Sequence, residues 1–167
     1  SLRRDLAERF MPVSLEEQDR IRDADGTVKF RFRLGDGNTV ESVVLQDRRG
    51  RRSACLSTQV GCAMGCLFCR TGYLGLRRDL NAHEIADQFL LLRSFVRRQG
   101  LRSEGNPPRS SDLSGVVFMG MGEPLANLDN LLQAIEVLDC GGFSQRRMTV
   151  STCGLVEGIR SLLSLIH

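Results

Sequence analysis

No apolar run in the 167 residues approaches the ~20 needed to cross a bilayer. The opening residues, SLRRDLAERF, hold no apolar signal-peptide core, and no internal repeat or low-complexity tract breaks up the chain. Lysine is nearly absent. Of the 23 basic residues 22 are arginine, which rules out a polybasic lysine tail while leaving an RNA partner open, since arginine grips phosphate bidentately. The formal charge of +3 is too small to demand nucleic acid by itself. With 41% hydrophobic and 26% charged residues, the chain is neither a disordered tail nor a membrane segment. These absences point to one globular domain, cytoplasmic and without a membrane partner.

Six cysteines are many for such a chain, and three of them, Cys62, Cys66 and Cys69, crowd into eight residues. A secreted disulfide framework spreads its cysteines through a shorter, loop-rich chain. Packed thiols in a cytosolic-looking sequence point instead to a metal.

Along the chain, Leu2, Leu6, Phe10 and Met11 form a helix-like stripe within residues 1–20, read as the remnant of a helical domain. VKFRFRL (28–34) and TVESVVL (39–45), joined by GDGN, predict a β-hairpin within a 21–52 extension, followed by the basic loop DRRGRR. From residue 53 onward the order is strand, helix, strand, helix, strand, helix. The strands are ACLSTQV (54–60), GVVFM (115–119) and RMTVST (147–152). The first helix starts near Asn81 with Glu84 three residues on, as in a capping box, and carries Ile85, Phe89, Leu92 and Val96 on one face. Residues 127–139 and 155–166 supply the other two helices, and residues 100–114 form a polar loop. The expected fold is α/β, with three parallel βα units over 53–167. Three units close poorly on themselves, so a further C-terminal portion is expected.

The cysteine spacing is C-x3-C-x2-C. Three thiolates can hold three irons of a [4Fe–4S] cube and leave the fourth iron open to a ligand. Gly61 and Gly65 let the loop wrap closely, and Phe68 is placed to shield a cluster from water. Structural zinc is the other reading. Zinc wants four ligands, and the fourth would have to be Cys55 or His83. The loop lies past the C-terminal end of the first strand, GMGEP past the second and STCG past the third. That is the edge where parallel α/β folds bind ligands.

ACLSTQVGCAMGCLFCRTGYLGLRRDLNAHEI, VVFMGMGEPLANLDN and RRMTVSTCG, in this order, resemble the radical S-adenosylmethionine superfamily, and within it the RlmN/Cfr type of dual-specificity RNA methylases. The resemblance covers roughly residues 20–160. It implies a partial (βα) radical barrel, of which this chain holds the first three units after a β-hairpin. It also implies a [4Fe–4S] cluster, S-adenosylmethionine, and methylation of carbon 2 of an adenine in 23S ribosomal RNA and in transfer RNA. That carbon is too electron-poor for polar methyl transfer. The implied route is a 5′-deoxyadenosyl radical that takes hydrogen from a methyl group carried on a C-terminal cysteine. A second cysteine then resolves the protein–RNA adduct and leaves a disulfide. An electron donor such as flavodoxin is implied as a partner.

Carried over by motif, Cys62, Cys66 and Cys69 match the cluster ligands, and Cys55 the resolving cysteine. Gly122, Glu123 and Ser151 match cofactor contacts, and Glu41 a glutamate proposed as proton acceptor. The methyl-carrying cysteine has no counterpart here, since neither Cys140 nor Cys153 stands in its place. Methylation by this chain alone is therefore not expected. Arg48, Arg49, Arg51, Arg52, Arg77, Arg78, Arg146 and Arg147 sit in basic clusters that either meet RNA phosphates or form a solvated surface. The alternatives are a zinc-stabilised RNA-binding module and a carbon-8 methylase.

Overall fold

The computed structural model describes residues 13–100 and 112–164. A six-stranded mixed sheet forms its frame, in the order β1-β2-β3-β4-β7-β8. Strands β1 (Glu16–Arg22), β2 (Val28–Arg33), β3 (Thr39–Gln46) and β4 (Arg52–Cys55) pair antiparallel with their neighbours. Strands β7 (Gly115–Phe118) and β8 (Met148–Val150) join β4 in parallel. A small antiparallel ribbon of β5 (Gln59–Gly61) and β6 (Leu76–Asp79) stands apart from the main sheet.

The alternation in VKFRFR becomes two faces. Val28, Phe30 and Phe32 are buried, while Lys29, Arg31 and Arg33 are exposed. On the buried face Phe30 stacks on Phe32 and meets Phe95 edge-on at 5.0 Å. Helix α1 (Ala82–Gly100) covers this face, and its expected stripe of Ile85, Phe89, Leu92 and Val96 is buried throughout. Glu84 in its first turn accepts the Asn81 N–H at 2.9 Å, which is one half of the expected capping box. Helix α2 (Leu128–Cys140) buries Leu131, Ala134 and Leu138, and Phe143 just past its end meets Phe89 at 4.9 Å. Helix α3 (Val156–Ser164) follows β8. The three βα units over residues 53–164 therefore follow the order and the parallel pairing read from the sequence.

Two expectations change. The helical stripe Leu2, Leu6, Phe10 and Met11 lies outside the described residues, but residues 16–20, placed in that 1–20 helical segment, belong to the strand Glu16–Arg22. EEQDRIR is exposed along its whole length, so backbone pairing with β2 holds it and no apolar pattern announces it. The expected single strand 54–60 is broken between Cys55 and Gln59. The Leu56 N–H donates to Val117 O at 2.9 Å and Leu56 O accepts the Gly120 N–H at 3.0 Å. The chain then leaves β4 and starts the separate ribbon.

Candidate active site

Because β4, β7 and β8 run parallel, the segments that follow them leave the sheet on the same side. Gln59 joins the first segment to the second. The Thr58 and Gln59 N–H groups donate to Met121 O at 2.8 and 3.2 Å, and Gln59 Oε1 accepts the Glu123 N–H at 2.8 Å. Gly122 lies against this contact with φ +98°, and a Cβ there would stand 2.6 Å from Gln59 Cβ and 2.8 Å from its backbone nitrogen. Only glycine fits both the backbone angle and the space.

Glu123 joins the second segment to the third. It is 4% exposed. Its Oε1 accepts the Leu125 N–H at 2.9 Å and so caps the short 3₁₀ helix Pro124–Asn127, with proline at its first position. Its Oε2 accepts the Cys153 N–H at 2.7 Å. Burial pushes this carboxyl up. The backbone N–H groups of Cys153 and Leu125 and the side chains of Thr152 and Cys153 outweigh that push and hold it below the usual glutamate value. Hydrogen bonding to Glu123, together with burial and the nearby Cys66 thiol, raises Cys153. Ser151 is half-buried between β8 and this contact, and its N–H donates to Phe118 O at 3.4 Å. The three segments thus converge as their positions in the sequence imply.

The cysteine loop is closed by short backbone contacts. The Cys62 N–H donates to Gly75 O at 3.1 Å, that of Cys69 to Cys66 O at 3.0 Å, and that of Gly72 to Cys69 O at 3.1 Å. Gly61, at φ +80°, lies so close to Gly75 O that any Cβ would overlap it. Cys62 is buried, and Cys66 and Cys69 are half-buried. N–H donors from Gly72 and Thr71 lower the Cys69 thiol. Residues 61–75 contain no carboxylate and no imidazole, so the donor set is thiol alone. Soft thiolates of this kind suit an iron–sulfur cluster or zinc, and N–H donors to sulfur help tune a cluster's potential. The donor chemistry therefore fits a cluster. Among the described residues, however, no three His, Cys, Asp or Glu side chains are gathered as a formed metal centre. Phe68, expected as a shield, is 91% exposed because it sits at the tip of the turn between Cys66 and Cys69.

Sheet register places Cys55. It pairs with Val43 on one side and Val117 on the other, so it shares a sheet face with Val43 and, two residues along β3, with Glu41. This face is opposite the one covered by α1. Cys55 is buried, and burial outweighs the Met119 N–H to raise its thiol. Glu41 is exposed, and its Oε1 meets Lys29 Nζ at 3.1 Å. Glu41 and Lys29 line a cleft of ≈ 700 Å³ that reaches Gly61 and the turn after Cys69. All six cysteines are free.

The deciding observation is likeness along almost the whole chain. Over 165 residues, 97% of this chain, it is 47% identical to the dual-specificity RNA methyltransferase RlmN of Anaeromyxobacter dehalogenans, covering 43% of that protein. It is 50% identical over 143 residues, 83% of this chain, to the probable dual-specificity RNA methyltransferase RlmN 1 of Opitutus terrae, covering 38% of it. The crystal structure of a radical SAM methyltransferase from Sphaerobacter thermophilus superimposes with a TM-score of 0.84 at 38% identity, over 96% of this chain and 45% of that one. The chain belongs to the RlmN-type radical S-adenosylmethionine methyltransferases. It spans less than half the length of the relatives it matches. No protein-family model matches it.

Within this RlmN-type chain, sequence reasoning missed Gln59, whose side chain bonds Glu123 and, at 2.7 Å, Asp79. It also missed Asn127, which donates to Thr58 O and Leu80 O, both at 2.8 Å. Their amides sit in the middle of motifs, but no spacing rule marks them as bridges. The basic clusters resolve differently from one another. Arg78 is held by Asp36 at 2.6 Å and Glu84 at 2.8 Å, Arg51 by Asp47 at 2.8 Å, and the Arg147 guanidinium lies 3.9 Å from the Phe143 ring centroid. Arg78 ties separate segments together, Arg51 closes its own exposed turn and Arg147 lies over Phe143, whereas Arg77 faces the cleft.

Proposed function

We propose that this chain forms the cluster- and cofactor-binding part of a radical S-adenosylmethionine methyltransferase that modifies carbon 2 of an adenine in ribosomal and transfer RNA. The observation that carries this reading is the convergence of the cysteine loop, GMGEP and STCG, tied through Gln59, Glu123 and Cys153. The relatives' names, dual-specificity RNA methyltransferases, supply the substrate class.

Cys62, Cys66 and Cys69 would hold a [4Fe–4S] cluster, which supplies one-electron reduction of S-adenosylmethionine. Gly122 lets the GMGEP segment pack directly on Gln59, and the Glu123 carboxylate, low in pKa and already oriented by two N–H donors, would attract the ammonium of the cofactor. Ser151 offers a hydroxyl just past the end of β8. Burial raises the Cys55 thiol, so Cys55 acts as the resolving cysteine toward a methyl-carrying cysteine supplied by the rest of the protein only once a base has taken its proton. The disulfide of that step pairs Cys55 with that second cysteine. Glu41, on the same sheet face, accepts the proton lost from the adenine carbon. A soluble donor such as flavodoxin supplies electrons.

Anaerobic reconstitution with iron and sulfide, followed by metal analysis, tests this reading. About four irons with matching sulfide per chain support it. One tightly held zinc with no iron uptake refutes it in favour of a zinc-stabilised RNA-binding module.

A further inference from the structure

The cleft on the open face of the β2–β3 hairpin is lined by Lys29, Arg31, Arg70, Arg77, Glu41 and Tyr73, among others. Four cations face one carboxylate. Glu41 neutralises Lys29 at 3.1 Å. Arg31 reaches Asp19 only at 3.8 Å, with both side chains more than half exposed. Arg77 donates to a neutral partner, Asn38 Oδ1, at 3.1 Å, and Arg70 is exposed. Three guanidiniums therefore remain available to an anion, along a wall that continues into the cysteine loop.

The cleft also carries an aromatic surface. Tyr73, the chain's single tyrosine, is 74% exposed. Its hydroxyl donates to Leu67 O at 3.0 Å, so the ring is fixed and little side-chain freedom is lost when a flat group stacks on it. A positively charged groove with a rigid exposed ring is the arrangement that takes single-stranded nucleic acid, with phosphates on guanidinium and a base on the ring.

We infer that this cleft grips single-stranded RNA, with Arg31, Arg70 and Arg77 on consecutive phosphates and Tyr73 stacked on a base. This deepens the RNA-methylase reading and rests on it for the choice of RNA. It assigns the grip to residues outside both the cysteine motif and the cofactor segments.

The test is fluorescence anisotropy of a labelled, mixed-sequence single-stranded oligoribonucleotide with the full chain, over a range of salt. Each phosphate contact on a single strand contributes about 0.7 to the slope of log affinity against log salt. The triple variant R31Q/R70Q/R77Q is expected to bind at least about tenfold more weakly, with the slope reduced by about 2. Y73A is expected to weaken binding about tenfold, and Y73F to retain it. R98Q, on α1 across the sheet, is expected to leave affinity unchanged. Circular dichroism of each variant confirms folding. No RNA binding by the parent chain at low salt, or affinity unaffected by the triple substitution, overturns the inference. Iron uptake of the same variants separates the two readings. A chain that takes up zinc alone yet loses RNA through the triple variant keeps the cleft and loses the enzyme. A chain that loads iron while its RNA affinity ignores the cleft does the reverse.

Discussion

The backbone N–H of Cys153 donates to Oε2 of Glu123 at 2.7 Å, across thirty residues of sequence, and so ties the end of β8 to the end of β7. Glu123 is a structural latch before any cofactor arrives. Glu123→Gln keeps the shape but loses the charge that strengthens both N–H bonds. The expected cost is about 1–3 kcal/mol, read as a lower Tm in thermal melts. A Tm equal to the parent's would show that the latch carries no stability.

The same latch sets a pH dependence. The folded pKa of Glu123 is depressed, so its contribution is present above the unfolded value of about 4.3 and is lost as pH falls through the folded value. Melts of parent and Glu123→Gln are therefore expected to differ at neutral pH and to converge in acid. A gap that persists unchanged to the lowest pH would contradict this.

Gln88 is fully buried and uses its whole amide. Its Oε1 accepts the Ser42 hydroxyl at 2.7 Å and the Ser57 N–H at 2.8 Å, and its Nε2 donates to Ser57 O at 3.0 Å and Glu84 O at 3.1 Å. Gln88→Leu orphans several of these groups, at about 1–3 kcal/mol each. Adding Ser42→Ala removes one orphan and is expected to restore part of the loss in a denaturant titration. Strict additivity of the two substitutions would argue against a shared network.

Gly122→Ala is expected to disrupt the site. The new methyl must displace Gln59 and strain a backbone at φ +98°. Proteolysis within 56–75 should then rise in the variant, because Gln59 anchors that segment to GMGEP. Unchanged cleavage would show that the loop is held by other contacts.

The meeting of the three segments was legible because each is a short motif. C-x3-C-x2-C, GMGEP and STCG each fall at a strand end, and parallel pairing brings them together. The bridging amides of Gln59 and Asn127 were not legible, since a buried amide has no periodicity and its partners lie 64 and 69 residues away. The strand Glu16–Arg22 was invisible because backbone pairing makes it, helped by Arg20 lying over the Phe30 and Phe95 rings, and neither leaves an apolar alternation in the sequence. The break after Cys55 was hidden by strand-like residues on both sides. It arises from backbone contacts to β7 and the Gly120 turn that no local pattern encodes. The cleft was not read from the sequence: Lys29 and Arg31 line it from alternate positions of β2, but its far wall comes from the turn after the cysteines.

The most direct measurement is the EPR spectrum of the reduced, iron-loaded chain with and without S-adenosylmethionine. A cluster on Cys62, Cys66 and Cys69 would keep one iron without a protein ligand, so on the proposed reading the cofactor is expected to change the spectrum, and Glu123→Gln to weaken that change. A cluster signal indifferent to the cofactor would contradict the proposed cofactor site.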